Sequence, residues 1–324
     1  MNYHSIEWHT HTVHSDADQT VEELLKAAAK SNYEILSISD HNTLSAYDEI
    51  KEKGLTTSVF LLHNSLEWTT FYGHMLVLGT HEALNWYDAK PADIDLWVKR
   101  NKEAGAVLGV AHPFELGSPI CTGCHWDFLV RNWDNFDFIE ILNGNSPQEQ
   151  LYNQKAYALW SKLLQEGHHL AASCGRDWHR PKKETENVAI NYLGVEQLNE
   201  EMIKDSIRKG NFYVTLGPKW EFNLSSQEKH EILMGATILQ GTYHLAVKFQ
   251  NQDNELNRQF GETIKKIKLL QNEEVVAEFS RTNFEEELKI DVALTRGPFR
   301  IEGWGSFRGI PDQRLVISNP FYVE

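Results

Sequence analysis

Two textures follow one another along the chain. As far as about Gly217, short apolar runs alternate with helix-like stretches. The runs are EILSIS (34–39), TSVFLLHNSLEW (57–68), HMLVLG (74–79), AVLGVAH (106–112), FDFIEILN (136–143) and HLAASCG (169–175). Between them lie TVEELLKAAAKSN (20–32), ADIDLWVKRNKEAG (92–105), SPQEQLYNQKAYALWSKLLQEG (146–167) and VEQLNEEMIKDSIRKG (195–210). Thr20 and Glu23 are spaced as a capping box, and several of these stretches close on Gly, as helix C-termini tend to. Alternation of this kind predicts βαβ units around a parallel, buried sheet or barrel.

After Gly217-Pro218 the long helical stretches stop. HLAVKFQ, IKKIKLLQ, EVVAEFS, ELKIDVAL, FRIEGWG and RLVISNPFYVE read as short strands at regular spacing, the pattern of an antiparallel β-sandwich. The expected organisation is an α/β domain over residues 1–217 followed by a small all-β domain over 218–324.

Composition narrows the class. With 41% hydrophobic and 24% charged residues the 324-residue chain reads as globular. No run of about 18 apolar residues appears, and no basic segment precedes an apolar one at the start, so a cytoplasmic protein without a membrane partner is expected. The 46 acidic against 31 basic residues give a net charge of −15, which argues against extended nucleic acid as a partner. A small anionic substrate is compatible with that charge, because clustered divalent cations invert the local field. The sequence carries no signal for oligomeric state. Three cysteines do not make a disulfide framework; Cys121 and Cys124 form a CxxC beside His125, readable as loop thiols or as part of a zinc clip lacking a fourth ligand.

The candidate chemistry sits at the ends of the apolar runs. In HTHTVHSD, His9 and His11 alternate with Thr10, so an extended chain points both imidazoles to one side. Asp40-His41, Glu67, His112, and Asp177 with His179 end later runs in the same way. In parallel α/β barrels the C-terminal strand ends share one face, so residues distant in sequence converge there. Imidazole and carboxylate without thiolate suit zinc, manganese or iron, and the set exceeds the needs of one ion; two or three divalent metal ions are expected.

HTH at 9–11 with Asp16, SDH at 39–41, Glu67, GH at 73–74, HP at 112–113 and RDWH at 176–179 resemble the ordered motifs of the polymerase and histidinol phosphatase (PHP) family of metallohydrolases. The resemblance spans roughly residues 5 to 217. FYVTLGP (212–218) and ISNPFYVE (317–324) are similar to the pieces flanking the C-terminal β-domain of the CehA/McbA-like branch, whose namesakes hydrolyse carbaryl. The resemblance implies a distorted seven-stranded (β/α) barrel of PHP type holding a trinuclear site. It assigns His9, His11, Glu67 and Asp177 to a first metal, Glu67, His74 and His112 to a second, and Asp16, His41 and His179 to a third.

Around these candidate ligands Asp40 is expected to orient a ligand histidine, and Glu140 and Asn143 to be outer partners or substrate contacts. Arg176, standing where the family often has a small residue, is expected to grip a phosphate or carboxylate. His14 is a substrate or proton-transfer candidate, and Glu67, Asp177 and His179 carry the catalytic roles. The implied activity is that of a metal-dependent phosphoesterase acting on a small phosphorylated metabolite or nucleotide through a metal-bridging hydroxide. The alternative is a carboxylic or carbamate ester hydrolase of the carbaryl-hydrolase type using the same metals. A metal-stabilised binding module and a Cys174 nucleophile are the remaining readings. Residues 115–135 are a candidate lid, and the β-domain a wall, an oligomer contact or a stabiliser.

Overall fold

The computed structural model describes residues 1–117, 123–181, 186–249, 263–283 and 287–324. The first part runs β1 (Asn2–Glu7), α1 (Val21–Lys30), β2 (Ile35–Leu36), α2 (Ser45–Lys53), β3 (Phe60–Leu61), β4 (Leu66–Thr70), β5 (Gly73–Leu78) and α3 (Ile94–Glu103). It continues with β6 (Val107–Val110), β7 (Phe138–Asn143), α4 (Leu151–Gln165), β8 (Ala171–Gly175), β9 (Ile190–Val195), α5 (Glu200–Lys209) and β10 (Phe212–Thr215). Strands then follow strands: β11 (Trp220–Ser225), β12 (Glu231–Ile232), β13 (Thr237–Ile238), β14 (Gly241–Phe249), β15 (Thr263–Gln271), β16 (Glu274–Ser280), β17 (Glu287–Leu294), β18 (Gly297–Phe307), β19 (Ile310–Ser318) and β20 (Phe321–Val323). Among the described residues no helix is long and apolar enough to cross a membrane.

The fold is mixed α/β with a strand-rich second part. Helix α1 begins as its sequence predicts: Thr20 Oγ1 accepts from the Glu23 amide while Glu23 reaches back to the Thr20 amide. Helix α2 is one that the hydrophobic pattern did not mark. It lacks a side-chain cap and buries only Ala46, Tyr47 and Ile50, and it stops at Gly54, whose φ of +61° a side chain would resist.

The strands do not form one parallel sheet. β4-β5-β6-β7-β8 make a five-stranded sheet in which β5 is antiparallel to both neighbours. Only Phe71 and Tyr72 separate β4 from β5, too few for the crossover a parallel pair needs. β3-β2-β1-β9-β10 belong to a second sheet, where β1 and β9 run antiparallel. Two isolated bridges, Thr10 to Trp178 and His41 to Glu67, tie the two sheets together at the end that carries the candidate ligands.

The second sheet also continues through β10 into β19, β18 and β20, so the expected boundary near residue 217 crosses a hydrogen-bonded sheet. Facing this extension is a four-stranded sheet, β12-β11-β14-β17. Phe222, Leu245 and Val292 of one and Ile267, Phe299 and Ile301 of the other share one buried cluster. Burying each such side chain stabilises by roughly 1.5–3 kcal/mol. Beneath the ligand-bearing end, Trp8, Phe138 and Phe212 pack ring against ring with centroids 5.1 and 5.4 Å apart. A Cβ on Gly109 would come within 1.9 Å of the Phe138 ring, so glycine there lets β6 and β7 close up.

Candidate metal centre

Glu67 is the hub. Its side chain is fully buried on β4, yet five imidazoles surround it. Oε2 lies 3.3 Å from His9 Nε2, 3.5 Å from His11 Nε2 and 3.0 Å from His41 Nδ1. Oε1 lies 2.9 Å from both His74 Nδ1 and His112 Nε2. Asp177 closes the other side, its Oδ1 3.4 Å from His9 Nε2, 3.1 Å from His11 Nε2 and 3.2 Å from His179 Nδ1. Asp16 stands at the rim, 3.0 Å from His179 Nε2 and 3.5 Å from His41 Nε2. Exposure rises from none at His9 and Glu67 to 18% at Asp177, 32% at His179 and 56% at Asp16, so the cluster is a cup with a closed floor.

The local chain explains why these groups meet. His9 and His11 follow β1 with Thr10 turned away, where Thr10 Oγ1 donates to the Ser37 carbonyl. His74 leaves β5 opposite Thr69, two residues along β4 from Glu67. His112 and Asp177 both sit at positive φ, 25° and 52°. For residues with a Cβ such conformations cost on the order of 1–3 kcal/mol and cluster at functional sites.

Acceptors behind the ring fix several tautomers. His9 Nδ1 donates to Glu140 Oε1 at 2.9 Å, His112 Nδ1 to the Cys124 carbonyl at 3.2 Å, and His179 Nδ1 to the Asp177 carbonyl at 3.0 Å. With Nδ1 so engaged, Nε2 is the nitrogen that faces the cup and that an ion would take after displacing its proton. Gly175 permits the His9–Glu140 contact, since a Cβ there would lie 1.9 Å from Glu140 Oε1.

Electrostatics follow from this crowding. Burial alone would raise the Glu67 carboxyl, but His9, His74 and His41 hold it well below the carboxylate range. Burial alone would lower His41, and Glu67 with Asp16 overcomes that to push it up to about 10. His112 and His179 rise against burial to about 9, His112 through Glu67 and His179 through Asp16 and Asp177. His11 goes the other way, to about 4, because burial and its neighbours His41 and His179 outweigh Asp177.

The donor set fits divalent ions. His9 Nε2, both nitrogens of His11, Glu67 Oε2 and Asp177 Oδ1 are buried without a hydrogen-bond partner among the described residues, a costly state for polar atoms. They also converge. Ligand atoms about 2.0–2.2 Å from a shared ion stand roughly 3.0–3.6 Å apart, the spacing found here. Four groupings have donor atoms close enough to share an ion. They are His9-His11-Glu67-Asp177, His11-Asp16-His41-His179, His41-Glu67-His74 and His112-Glu115-Asp177.

All nine ligand candidates are thus brought together, but the residues around them are not all where the sequence reading put them. Glu140 lies behind His9, and its Oε2 accepts from the His112 amide and from Asn143 Nδ2. Asn143 is itself 1% exposed and is engaged with Glu140 and Asn153, which removes it as a substrate contact. Asp40 orients no histidine: it accepts from the Thr12 amide, Thr12 Oγ1 and Ser15 Oγ, holding the loop that carries Asp16. His14 has Nδ1 on Ser45 Oγ and Nε2 on Glu49 Oε2, so both nitrogens tie this loop to α2 rather than facing the cup.

Arg176 is the clearest correction. Arg176 follows the end of β8 and turns away from the ligands, where it is 1% exposed with its guanidinium 3.6 Å over the Trp178 ring. Cys174 is likewise buried, and burial pushes its thiol well up, which makes it inert. Cys121 lies outside the described residues.

Two groups escaped the sequence reading. Glu115 reaches 3.6 Å from His112 Nδ1 because the turn at His112 folds HPFE back on itself; an acid three residues after His112 was the available signal. Glu7 is buried at the base, accepting from the amides of Trp8, His9 and Arg176, and burial raises its carboxyl to about 7. It looked like an ordinary strand residue in SIEW.

No family model matches this sequence, and no curated protein matches it. Solved structures do resemble it. A two-domain protein from Bacteroides vulgatus containing a predicted PHP-like metal-dependent phosphoesterase aligns over 99% of this chain and 95% of its own, with a TM-score of 0.54 at 13% identity. The chain shares the fold of that protein. A candidate metal-dependent phosphoesterase from Bifidobacterium adolescentis aligns over 62% of this chain and 95% of its own, at 15% identity and TM-score 0.36. An amidohydrolase from Chromobacterium violaceum, with bound sulfate and no metal, aligns over 54% of this chain and 88% of its own, at 14% identity and TM-score 0.36.

Proposed function

We propose that the protein is a metal-dependent phosphoesterase of PHP type that hydrolyses a small phosphorylated molecule, a metabolite or a nucleotide. The observation that carries this reading is the buried Glu67 carboxylate ringed by five imidazoles and faced by Asp177. His9, His11, Glu67 and Asp177 would hold a first ion, Glu67, His74 and His112 a second with Glu115 beside it, and Asp16, His41 and His179 a third. Such ions supply Lewis acidity and lower the pKa of water toward neutrality.

The protein's own contribution is placement. Glu140 and the Cys124 and Asp177 carbonyls lock the imidazole tautomers, and the closed floor keeps bulk water from the deepest ligands. The exposed rim at Asp16, His41 and His179 is where a substrate enters. Charge favours a phosphoryl group over a neutral carbamate or carboxylic ester: Asp16, Glu67, Glu115 and Asp177 bring four negative charges among neutral imidazoles, which two divalent ions cancel and three exceed. A cup loaded with three ions is cationic.

The test is purified protein stripped of metal, reloaded separately with Zn, Mn or Fe, and assayed on phosphomonoesters, phosphodiesters, aryl carboxylic esters and aryl carbamates. Phosphate or nucleotide release with at least one metal is expected. Turnover of carbamates or carboxylic esters with no phosphoester turnover overturns the reading in favour of the other ester class.

A further inference from the structure

Away from the metal cup, a cavity of about 400 Å³ opens between α4 and the β18–β19 hairpin. Its size is within the range of small-molecule sites, and none of the nine ligand candidates lines it. Leu142, Leu216 and Ile317 contribute an apolar wall, and Gln148, Gln154 and Arg314 contribute polar groups.

Arg314 is held in place there. Its Nε donates to Glu302 Oε2 at 3.1 Å and its guanidinium carbon lies 3.7 Å from the Tyr157 ring centroid. Glu302 is itself 1% exposed and fixed from three further sides, by Tyr157 Oη, Trp304 Nε1 and Arg300. The two Nη atoms of Arg314 make no hydrogen bond to the described residues, so the edge suited to bidentate recognition is left over. One acid also lines the cavity: Asp312, largely exposed, pairs at 3.5 Å with Lys266, which Glu278 shares at 3.8 Å, and Lys268 sits 3.7 Å over the Trp304 ring. In a chain of net charge −15 this is a preorganised cationic edge beside an apolar wall.

We infer that this cavity is a second ligand site, for a small organic anion whose carboxylate or phosphoryl head sits on the Arg314 Nη edge and whose apolar body lies against Leu142, Leu216 and Ile317. The site does not depend on the activity proposed for the metal cup.

Calorimetric titration of the full-length protein with benzoate and, separately, with phenylphosphonate tests it. Binding of either is expected, benzoate marking a carboxylate ligand and phenylphosphonate a phosphoryl one. Replacing Arg314 by Met is expected to weaken that binding roughly ten- to hundredfold, as loss of a charged hydrogen-bonding partner does. Gln154→Trp, which fills the mouth from the exposed face of α4 and leaves the Glu302 cluster intact, is expected to weaken it as well. No binding of either probe, or affinity unchanged in Gln154→Trp and in a folded Arg314→Met, overturns the inference.

Discussion

Glu140 accepts a hydrogen bond from His9: Oε1 stands 2.9 Å from Nδ1, and both side chains are fully buried. The contact turns a histidine that lies against Glu67 and Asp177 into one with a fixed tautomer and a free Nε2. Glu140→Gln keeps the volume but lowers the basicity passed to His9. It should weaken metal binding or activity by about 10–100-fold, the usual cost of an outer partner. Competition with a graded chelator measures the affinity, and equal affinity in both proteins would remove Glu140 from the account.

Arg176 is expected to be dispensable for the chemistry. Its guanidinium lies over Trp178, and its three nitrogens have no hydrogen-bond partner among the described residues. The nearby buried Glu7 loses a compensating charge when Arg176 is removed, so stability is expected to fall while the chemistry does not. Arg176→Met should keep phosphoester KM and kcat in the folded protein. A selective rise in KM would return Arg176 to the substrate.

Metal affinity should depend on pH with a definite sign. In the metal-free protein His41 titrates near 10, and His112 and His179 near 9, so at neutral pH these sites hold protons that an ion must displace. Apparent affinity therefore rises with pH up to about 9 to 10, and binding releases protons into the medium. Calorimetry in two buffers of different ionisation enthalpy reads the released protons directly. Zero release at pH 7 would contradict the proton-loaded state.

The two parts of the chain are expected to fold together. Asn319 Oδ1 accepts from the Ala172 amide at 2.6 Å, while its Nδ2 donates to the carbonyls of Ala172 and Phe212. β10 pairs with β19 from Tyr213 to Thr215. Ending the chain at Gly217 leaves those groups and an apolar strand edge open, so the fragment should aggregate or lose its cooperative melt. A soluble fragment with an unchanged melting temperature would show that the halves are independent.

Seven of the nine candidate ligands were legible from strand geometry: HTH with its period of two, and the acids or imidazoles ending successive apolar runs, survive any error in the strand pairing. Asp16 and His74 were named only through the family resemblance. What was not legible depends on single backbone angles and on connection lengths. The positive φ of His112 brings Glu115 in, and the two-residue link between β4 and β5 makes an antiparallel pair where a parallel one was expected. The facing of Arg176 was not legible because RDWH lies past the end of β8, where the positive φ of Asp177 breaks the strand alternation that orders His9 and His11. The join between β10 and β19 pairs residues about a hundred apart, and nothing local announces it.

On the proposed function, the buried Glu67 carboxylate organises a multi-ion hydrolytic cup. Elemental analysis of the reloaded protein beside its Glu67→Ala variant, with phosphoester turnover measured on the same samples, decides this. Two or three equivalents of metal are expected in the parent. In the variant, fewer equivalents are expected and a fall in turnover of more than about a hundredfold, beyond the cost of an outer partner. A folded Glu67→Ala protein that keeps its full metal complement and its turnover would contradict it.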